Sequence, residues 1–136
     1  MDDRLLKLLG ERHQGVLTTV KRDGRPQLSN VSYSFAAGVV RVSVTAGRAK
    51  TRNLSRDPRA SFYVCSPDFR AYVVAEGIAS LTPVARDARD GTVDELVEVY
   101  RAIAGEHPDW DEYRAAMVAD QRLVVRIPVD RVYGAA

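Results

Sequence analysis

The sequence predicts a mainly β protein, a closed or split β-barrel of about six to seven antiparallel strands with inserted and peripheral helices. Several short segments alternate apolar and polar residues, as half-buried strands do. Tight turns separate these segments. Helical periodicity is confined to a few stretches that do not alternate regularly with the strands, so a Rossmann fold is a poor match. A barrel removes exposed strand edges, and a length of 136 residues suits one domain over 1–136.

The first half of the chain predicts a helix and then an antiparallel meander. Leucines at helical spacing mark residues 3–12 as an amphipathic helix. The segments 15–21 and 25–35 flank Asp23-Gly24, a dipeptide that favours a type I′ hairpin turn. A further turn leads to a third strand at 39–45, whose valines lie on one face.

The second half predicts two more strands, two helices and a closing strand. Residues 59–66 and 71–81 alternate as strands, and Gly77 within the latter indicates a bulge or bend. Thr92 with Glu95 predicts a capping box at the start of one helix, and Asp109 with Glu112 starts the next helix similarly. The chain returns to strand character at 123–129.

Composition excludes several classes of function. A net charge of +2 is too small to indicate a nucleic-acid binder, and no apolar run approaches the length of about 20 residues that spans a membrane. The single cysteine, Cys65, excludes an intramolecular disulfide and a multi-cysteine zinc site. The N-terminus lacks the apolar stretch of a signal peptide, so we expect a cytoplasmic protein without nucleic-acid or membrane partners.

The residues that usually perform catalysis are few. His13 and His107 are the only histidines, and neither lies in a spacing typical of a metal site or a catalytic triad. Walker-type and GxGxxG loops are absent. The sequence therefore identifies no catalytic residue and no metal ligand. If the protein is an enzyme, we expect a cofactor to carry the reaction while the protein binds and orients it.

A basic segment is the strongest candidate binding site. Five positive charges lie between Arg48 and Arg59, and a short helix is predicted from Ala49 to Arg56, ended by Pro58. Arg48 and Lys50 fall at the helix N-terminus, where unpaired backbone N–H groups favour a phosphate. The alternative interpretation is a merely solvated basic helix.

The strand at 25–35 carries polar residues where the apolar face would continue. Gln27 and Ser29 share the parity of the apolar residues that follow, and Asn30 lies on the other face. Amides and hydroxyls at a barrel rim are suitable donors and acceptors for a heteroaromatic ring. A solvated strand end explains the same pattern equally well.

These segments together resemble a known family. The matching blocks are RPQLSNVSYSF (25–35), GRAKTRNLSRDPRASFYV (47–64), AYVVAEGIASLTP (71–83) and YRAIAGEHPDWDEYRAAMV (100–118). They resemble the pyridoxamine-5′-phosphate-oxidase-like split β-barrel reductases of actinobacteria, in the branch that uses the deazaflavin coenzyme F420 rather than FMN. The resemblance covers essentially the whole chain.

The resemblance implies a homodimer with two cofactor sites at the subunit interface. It places the cofactor phosphate and adjacent chain on Arg48, Ala49, Lys50 and Asn53, with the hydroxyl of Thr51 as a further contact. It places the deazaflavin ring against Gln27, Ser29, Asn30 and Ser43. The loop before the strand at 71–81 would approach from the partner subunit; this chain has Arg70 there, where some relatives carry an aromatic residue.

Three functional hypotheses follow from the resemblance. The first is a reductase that passes a hydride from reduced F420 to an unsaturated small-molecule acceptor. The second keeps the fold but binds FMN, as an oxidase or flavin reductase. The third is a non-enzymatic protein that binds F420 or a flavin without turnover.

Overall fold

The computed structural model describes residues 1–136 and contains four helices and nine strands. The helices are α1 (Asp3–Glu11), α2 (Ala49–Arg56), α3 (Gly91–Ala104) and α4 (Trp110–Ala119). The strands are β1 (Gln14–Val20), β2 (Pro26–Ser32), β3 (Ser34–Ala36), β4 (Val39–Thr45), β5 (Arg59–Cys65), β6 (Tyr72–Ile78), β7 (Ser80–Leu81), β8 (Arg122–Pro128) and β9 (Arg131–Ala135).

The strands form two antiparallel sheets, and at two bends the chain passes directly from one sheet to the other. One sheet has the order β2-β1-β5-β6-β9 and the other has the order β3-β4-β8-β7. At Tyr33 the chain passes from β2 in the first sheet to β3 in the second, and at Ala79 it passes likewise from β6 to β7. The two sheets therefore enclose a common core, and the predicted β-rich, split-barrel class is confirmed. The predicted strands 25–35 and 71–81 each divide in two, because the chain changes its hydrogen-bonding partner at the bend.

The core between the sheets is apolar and contains one buried phenol. Tyr33 and Phe62 are fully buried, and their rings meet edge to face at 4.7 Å between centroids. The hydroxyl of Tyr33 donates to the carbonyl oxygen of Leu9 in α1, so the buried oxygen has a partner. Burial raises the pKa of Tyr33 far above its ordinary value. Helix α1 is thus attached to the point at which β2 becomes β3.

Gly77 permits a close contact between β6 and β8. A Cβ atom at this position would lie 2.1 Å from the carbonyl oxygen of Pro128, which no real side chain tolerates. The close backbone approach lies two residues before the bend at Ala79. The predicted role of Gly77 at a bend is therefore consistent with its position in the sheet.

Helices α3 and α4 pack against the second sheet, and their starts differ in part from the prediction. The predicted capping box at Thr92 and Glu95 is wrong, because Asp90 caps α3 by accepting from the backbone N–H of Val93 at 2.9 Å. Thr92 instead donates to the carbonyl oxygen of Pro83 at 2.9 Å. Asp109 caps α4 as predicted. No helix in the structure has both the length and the apolar character needed to cross a bilayer.

Candidate functional site

The two sheets separate between β2 and β4, and a cavity lies in this gap. Strand β3 pairs only with residues 39–41 of β4, so the rest of β4 has no strand partner on that side. We call the resulting space of about 340 Å³ the split cavity. Its lining comes from β2, from β4 with the start of α2, and from α3 and β8: Asn30, Val31, Ser32, Ser43, Val44, Thr45, Arg48, Lys50, Ile103 and Arg122.

Helix α2 begins at the split cavity without a capping side chain. The other three helices begin after Asp2, Asp90 and Asp109, whose carboxylates accept backbone N–H groups of the first turn. The residue before α2 is Arg48, which makes no such bond. The backbone N–H groups of residues 49–51 consequently have no acceptor within the chain. Free N–H groups and the helix dipole together favour an anion at this end of α2.

Three cationic side chains line the split cavity without an acidic partner. Arg48, Lys50 and Arg122 make no ion pair within the chain. Burial lowers the pKa of Lys50 below its ordinary value, and the positive charges of Arg48 and Arg122 lower it further. This mutual repulsion would be relieved by a bound anion, which would restore the pKa of Lys50.

Arg122 is held over β4 but keeps most of its hydrogen-bonding capacity. Its Nη1 lies 3.4 Å from both the carbonyl oxygen and the hydroxyl of Ser43. Its Nε is buried and has no hydrogen-bond partner. The guanidinium group is therefore fixed at the cavity wall with donors left for a ligand.

A chain of hydrogen bonds connects α2 to the polar residues of β2. The amide nitrogen of Asn53 donates to the hydroxyl of Thr19 at 3.1 Å, and Thr19 donates to Oε1 of Gln27 at 2.9 Å. Nε2 of Gln27 then donates to the hydroxyl oxygen of Ser29 at 2.8 Å. The hydroxyl of Ser29 accepts from Gln27, so its own hydrogen is free for a ligand. Thr19 is completely buried, which makes it the fixed centre of this chain.

The structure gathers four of the predicted residues around the split cavity: Asn30, Ser43, Arg48 and Lys50. Gln27 and Ser29 lie on the same strand as Asn30 and are tied to α2 by the hydrogen bonds described above. Ala49 is exposed at the start of α2.

Thr51 and Asn53 have side chains that are engaged inside the protein. Both are buried, and the hydroxyl of Thr51 donates to the carbonyl oxygen of Thr45 at 2.8 Å. Only the backbone N–H of Thr51 is left without a partner, at the start of α2. Asn53 contacts Thr19 rather than the cavity.

Arg70 lies apart from the other predicted residues, on the exposed loop between β5 and β6. Its backbone N–H donates to the carboxylate of Asp68 at 3.0 Å, and Ser66 donates to the same oxygen at 2.7 Å. The neighbouring Phe69 is 78% exposed and has a φ of 66°, in the left-handed region that a bulky residue rarely adopts. Sequence reasoning did not identify Phe69, which gives this loop an aromatic side chain one position before Arg70.

Sequence reasoning also missed Thr19 and Arg122. The alternation in 123–129 places Arg122 on the outer face of its strand, but no local signal shows that β8 pairs with β4. Thr19 reads as an ordinary β-branched strand residue, since its partners come from β2 and α2.

A second cavity adjoins the split cavity. It has a volume of about 450 Å³ and lies on the face of the five-stranded sheet that points away from the core; we call it the sheet-face cavity. Asn30, Val31 and Ser32 line both cavities, so the two spaces meet at the end of β2.

Comparison with known proteins shows which family and which fold the chain resembles. The chain is 28% identical to the F420H₂-dependent biliverdin reductase of Mycobacterium tuberculosis, over 100% of this chain and 89% of that protein. Its fold matches a conserved hypothetical protein of Mycobacterium tuberculosis with a TM-score of 0.76, at 24% identity over 99% of this chain and 84% of the other. A structure described as an F420 reductase matches with a TM-score of 0.76, at 21% identity over 98% of both chains. The family model of pyridoxamine 5′-phosphate oxidase matches residues 1–135. This chain therefore belongs to the pyridoxamine 5′-phosphate oxidase family.

Proposed function

We propose that this protein is a reductase that uses reduced coenzyme F420 to reduce an unsaturated small-molecule acceptor. The observation that carries the proposal is the split cavity, where three unpaired cations and the free N–H groups of α2 lie beside the polar edge of β2. The similarity to an F420H₂-dependent biliverdin reductase supports the same cofactor. When bound, the cofactor would supply the hydride, and the chain would bind the cofactor and orient it toward the acceptor.

The start of α2 would hold the cofactor phosphate. Lys50 and Arg48 supply positive charge, and the backbone N–H groups of Ala49, Lys50 and Thr51 point out of the helix end. Charge-assisted hydrogen bonds of this kind are about twice as strong as neutral ones. Arg122, on β8, adds a third cation to the lining of the same cavity.

The edge of β2 would bind the polar atoms of the ring. The free hydroxyl hydrogen of Ser29 and the side chains of Asn30 and Ser43 provide donors and acceptors near the cavity. Gln27 is fixed by Thr19, which is itself held by Asn53. We assign Asn53 a positioning role, because its amide acts on the ring site through these hydrogen bonds.

The number of free cations favours F420 over FMN. FMN carries one terminal phosphate, whereas F420 carries a phosphate followed by an acidic glutamate tail. Arg48, Lys50 and Arg122 provide more positive charge than one phosphate requires, and none of it is neutralised by the chain. FMN binding with a flavin absorption spectrum in the purified protein would instead support the second hypothesis.

A second copy of the chain would complete the site. The outer face of the five-stranded sheet carries no packed helix and exposes Leu28, Ile78 and Tyr133, each at least half exposed. Several exposed apolar side chains on a face that no helix covers favour an interface with another protein chain. Phe69 and Arg70, on the loop at one end of this sheet, would then reach the cofactor of the partner subunit.

Fluorescence titration with F420 and FMN, measured separately, tests the cofactor assignment. We expect Lys50→Ala and Arg48→Ala each to weaken F420 binding about 10-fold or more, the effect of losing a charge-assisted hydrogen bond of about 1.5–3 kcal/mol. Arg52→Ala is the matched control, since Arg52 is an exposed cation on the same helix without a role in the cavity. Unchanged affinity in both variants would refute the phosphate assignment.

The pH dependence of binding gives an independent check. Only protonated Lys50 attracts an anion, and its pKa in the free protein is lowered by burial and by Arg48 and Arg122. F420 affinity should therefore fall as pH rises through this lowered pKa, and the fall should disappear in Lys50→Ala.

The dimer is tested by light scattering after size-exclusion chromatography. We expect a dimer that dissociates on Ile78→Lys, which replaces an exposed apolar side chain of this sheet face with a charge. A monomeric parent protein would contradict the proposed assembly.

A further inference from the structure

The sheet-face cavity contains one charged side chain, Arg12. This residue follows the last turn of α1, and its side chain enters the cavity beside the start of β1. The remaining lining is uncharged and includes Val16, Asn30, Ser32 and Tyr63. Apolar and uncharged polar side chains therefore line the cavity together with a single positive charge.

Arg12 has no acceptor anywhere in the chain. It makes no ion pair, and its Nε is shielded from solvent without a hydrogen-bond partner. A guanidinium N–H that is buried without an acceptor is unfavourable. Other arginines do have acidic partners, as Arg126 has in Glu95. The N–H groups of Arg12 are therefore left for an acceptor outside the chain, which is either a bound ligand or an acid of the second copy that would cover this sheet face.

The chemistry of the cavity indicates what that ligand is. A guanidinium group binds a carboxylate through two parallel hydrogen bonds. The ring of Tyr63 and the side chain of Val16 offer contact area for a flat, unsaturated body. Together these features fit an unsaturated organic acid.

The location of the cavity gives this ligand a role. Asn30, Val31 and Ser32 line both this cavity and the split cavity, so a molecule here lies next to the place on β2 that would bind the cofactor ring. Hydride transfer requires the acceptor to lie in contact with the cofactor ring. We propose that the sheet-face cavity is the acceptor site and that Arg12 binds the carboxylate of an anionic, unsaturated acceptor. This inference rests on the proposed reductase function.

Binding of a matched pair of small molecules tests the proposal. The probes are trans-cinnamate and cinnamamide, which share a conjugated frame and differ in the charge of one group. Isothermal titration of the protein without cofactor should show that cinnamate binds at least 10-fold more tightly than cinnamamide. Arg12→Met should abolish this preference, and Arg12→Lys should restore part of it. Arg25→Gln, in the exposed β1–β2 turn, is the control and should retain the preference.

Two further measurements separate the proposal from its alternatives. The Kd for F420 should remain within twofold in Arg12→Met; a large loss would mean that Arg12 holds the cofactor instead, and would overturn the proposal. The variant should also keep the oligomeric state of the parent, since dissociation would mean that Arg12 pairs with an acid of a second copy.

Three results for the probes would overturn the inference: no cinnamate binding at millimolar concentration, equal binding of both probes, or an unchanged preference in Arg12→Met. Failure of the unmodified protein to bind F420 would instead refute the proposed function. Because the probe titration contains no cofactor, the two failures are distinguishable.

Discussion

Thr19 joins two elements of the candidate site, and its replacement by valine isolates the contribution of one hydroxyl. Valine has nearly the same shape but cannot form hydrogen bonds. In the parent protein the hydroxyl donates to Gln27 at 2.9 Å and accepts from Asn53 at 3.1 Å, and the residue is completely buried. Thr19→Val therefore removes two hydrogen bonds and leaves the buried amide of Asn53 without this acceptor.

The expected loss of stability follows from these contacts. Each hydrogen bond contributes about 1 kcal/mol net, and an unpaired buried donor costs about 1–3 kcal/mol. We expect Thr19→Val to lower the free energy of unfolding by about 2–3 kcal/mol. For a chain of this length the melting temperature changes by about 3–4 °C per kcal/mol, so it should fall by about 6–12 °C. F420 affinity should fall as well, because Gln27 loses its orientation.

Calorimetry and urea unfolding at a fixed protein concentration measure this effect against two controls. Thr19→Ser keeps the hydroxyl and loses a methyl group, which costs about 1 kcal/mol. Thr18→Val alters the neighbouring hydroxyl, which is half-buried on the other face of β1, and should change stability by less than about 0.5 kcal/mol. A Thr19→Val variant as stable as the parent, or a serine variant as unstable as the valine variant, would refute the reasoning.

Two further predictions concern the framework around the site. Glu95 accepts hydrogen bonds from Arg126, which hold its pKa below the ordinary value, so its carboxylate stabilises the fold at neutral pH and this stabilisation is lost as pH falls. Glu95→Gln should lower the free energy of unfolding by about 1 kcal/mol at pH 7 and by progressively less as the pH falls, which urea unfolding at neutral and at acid pH measures. An equal loss of stability at neutral and acid pH would contradict the ion-pair explanation. Gly77→Ala should destabilise the fold by about 3 kcal/mol, as measured by thermal unfolding, because the new Cβ would clash with the carbonyl oxygen of Pro128. Gly91→Ala is the control: no atom lies within 4 Å of its new Cβ, so this variant should melt at the same temperature as the parent.

Much of the fold could be predicted from local pattern. Alternation identifies strands because successive side chains point to opposite faces, and β4 and α2 have the predicted bounds. The predicted capping residue of α3 is wrong because two nearby side chains could cap this helix. Thr92 satisfies a sequence motif, but Asp90 is the residue that accepts the free N–H group of Val93. A motif of four residues cannot show which of two capping side chains the rest of the fold leaves free.

The composition of the candidate site can be predicted from neighbouring residues: a basic helix start at Arg48 and Lys50, and a polar strand edge at Gln27 and Ser29. Parity and helix position are properties of neighbouring residues, so they can be read along the chain. Folding is needed to bring Arg122 against Ser43, 79 positions away, and to place the side chain of Arg12 in a cavity without an acceptor. Pairing of distant strands depends on how the two sheets pack around a shared core, and this packing brings charges together that no local pattern connects.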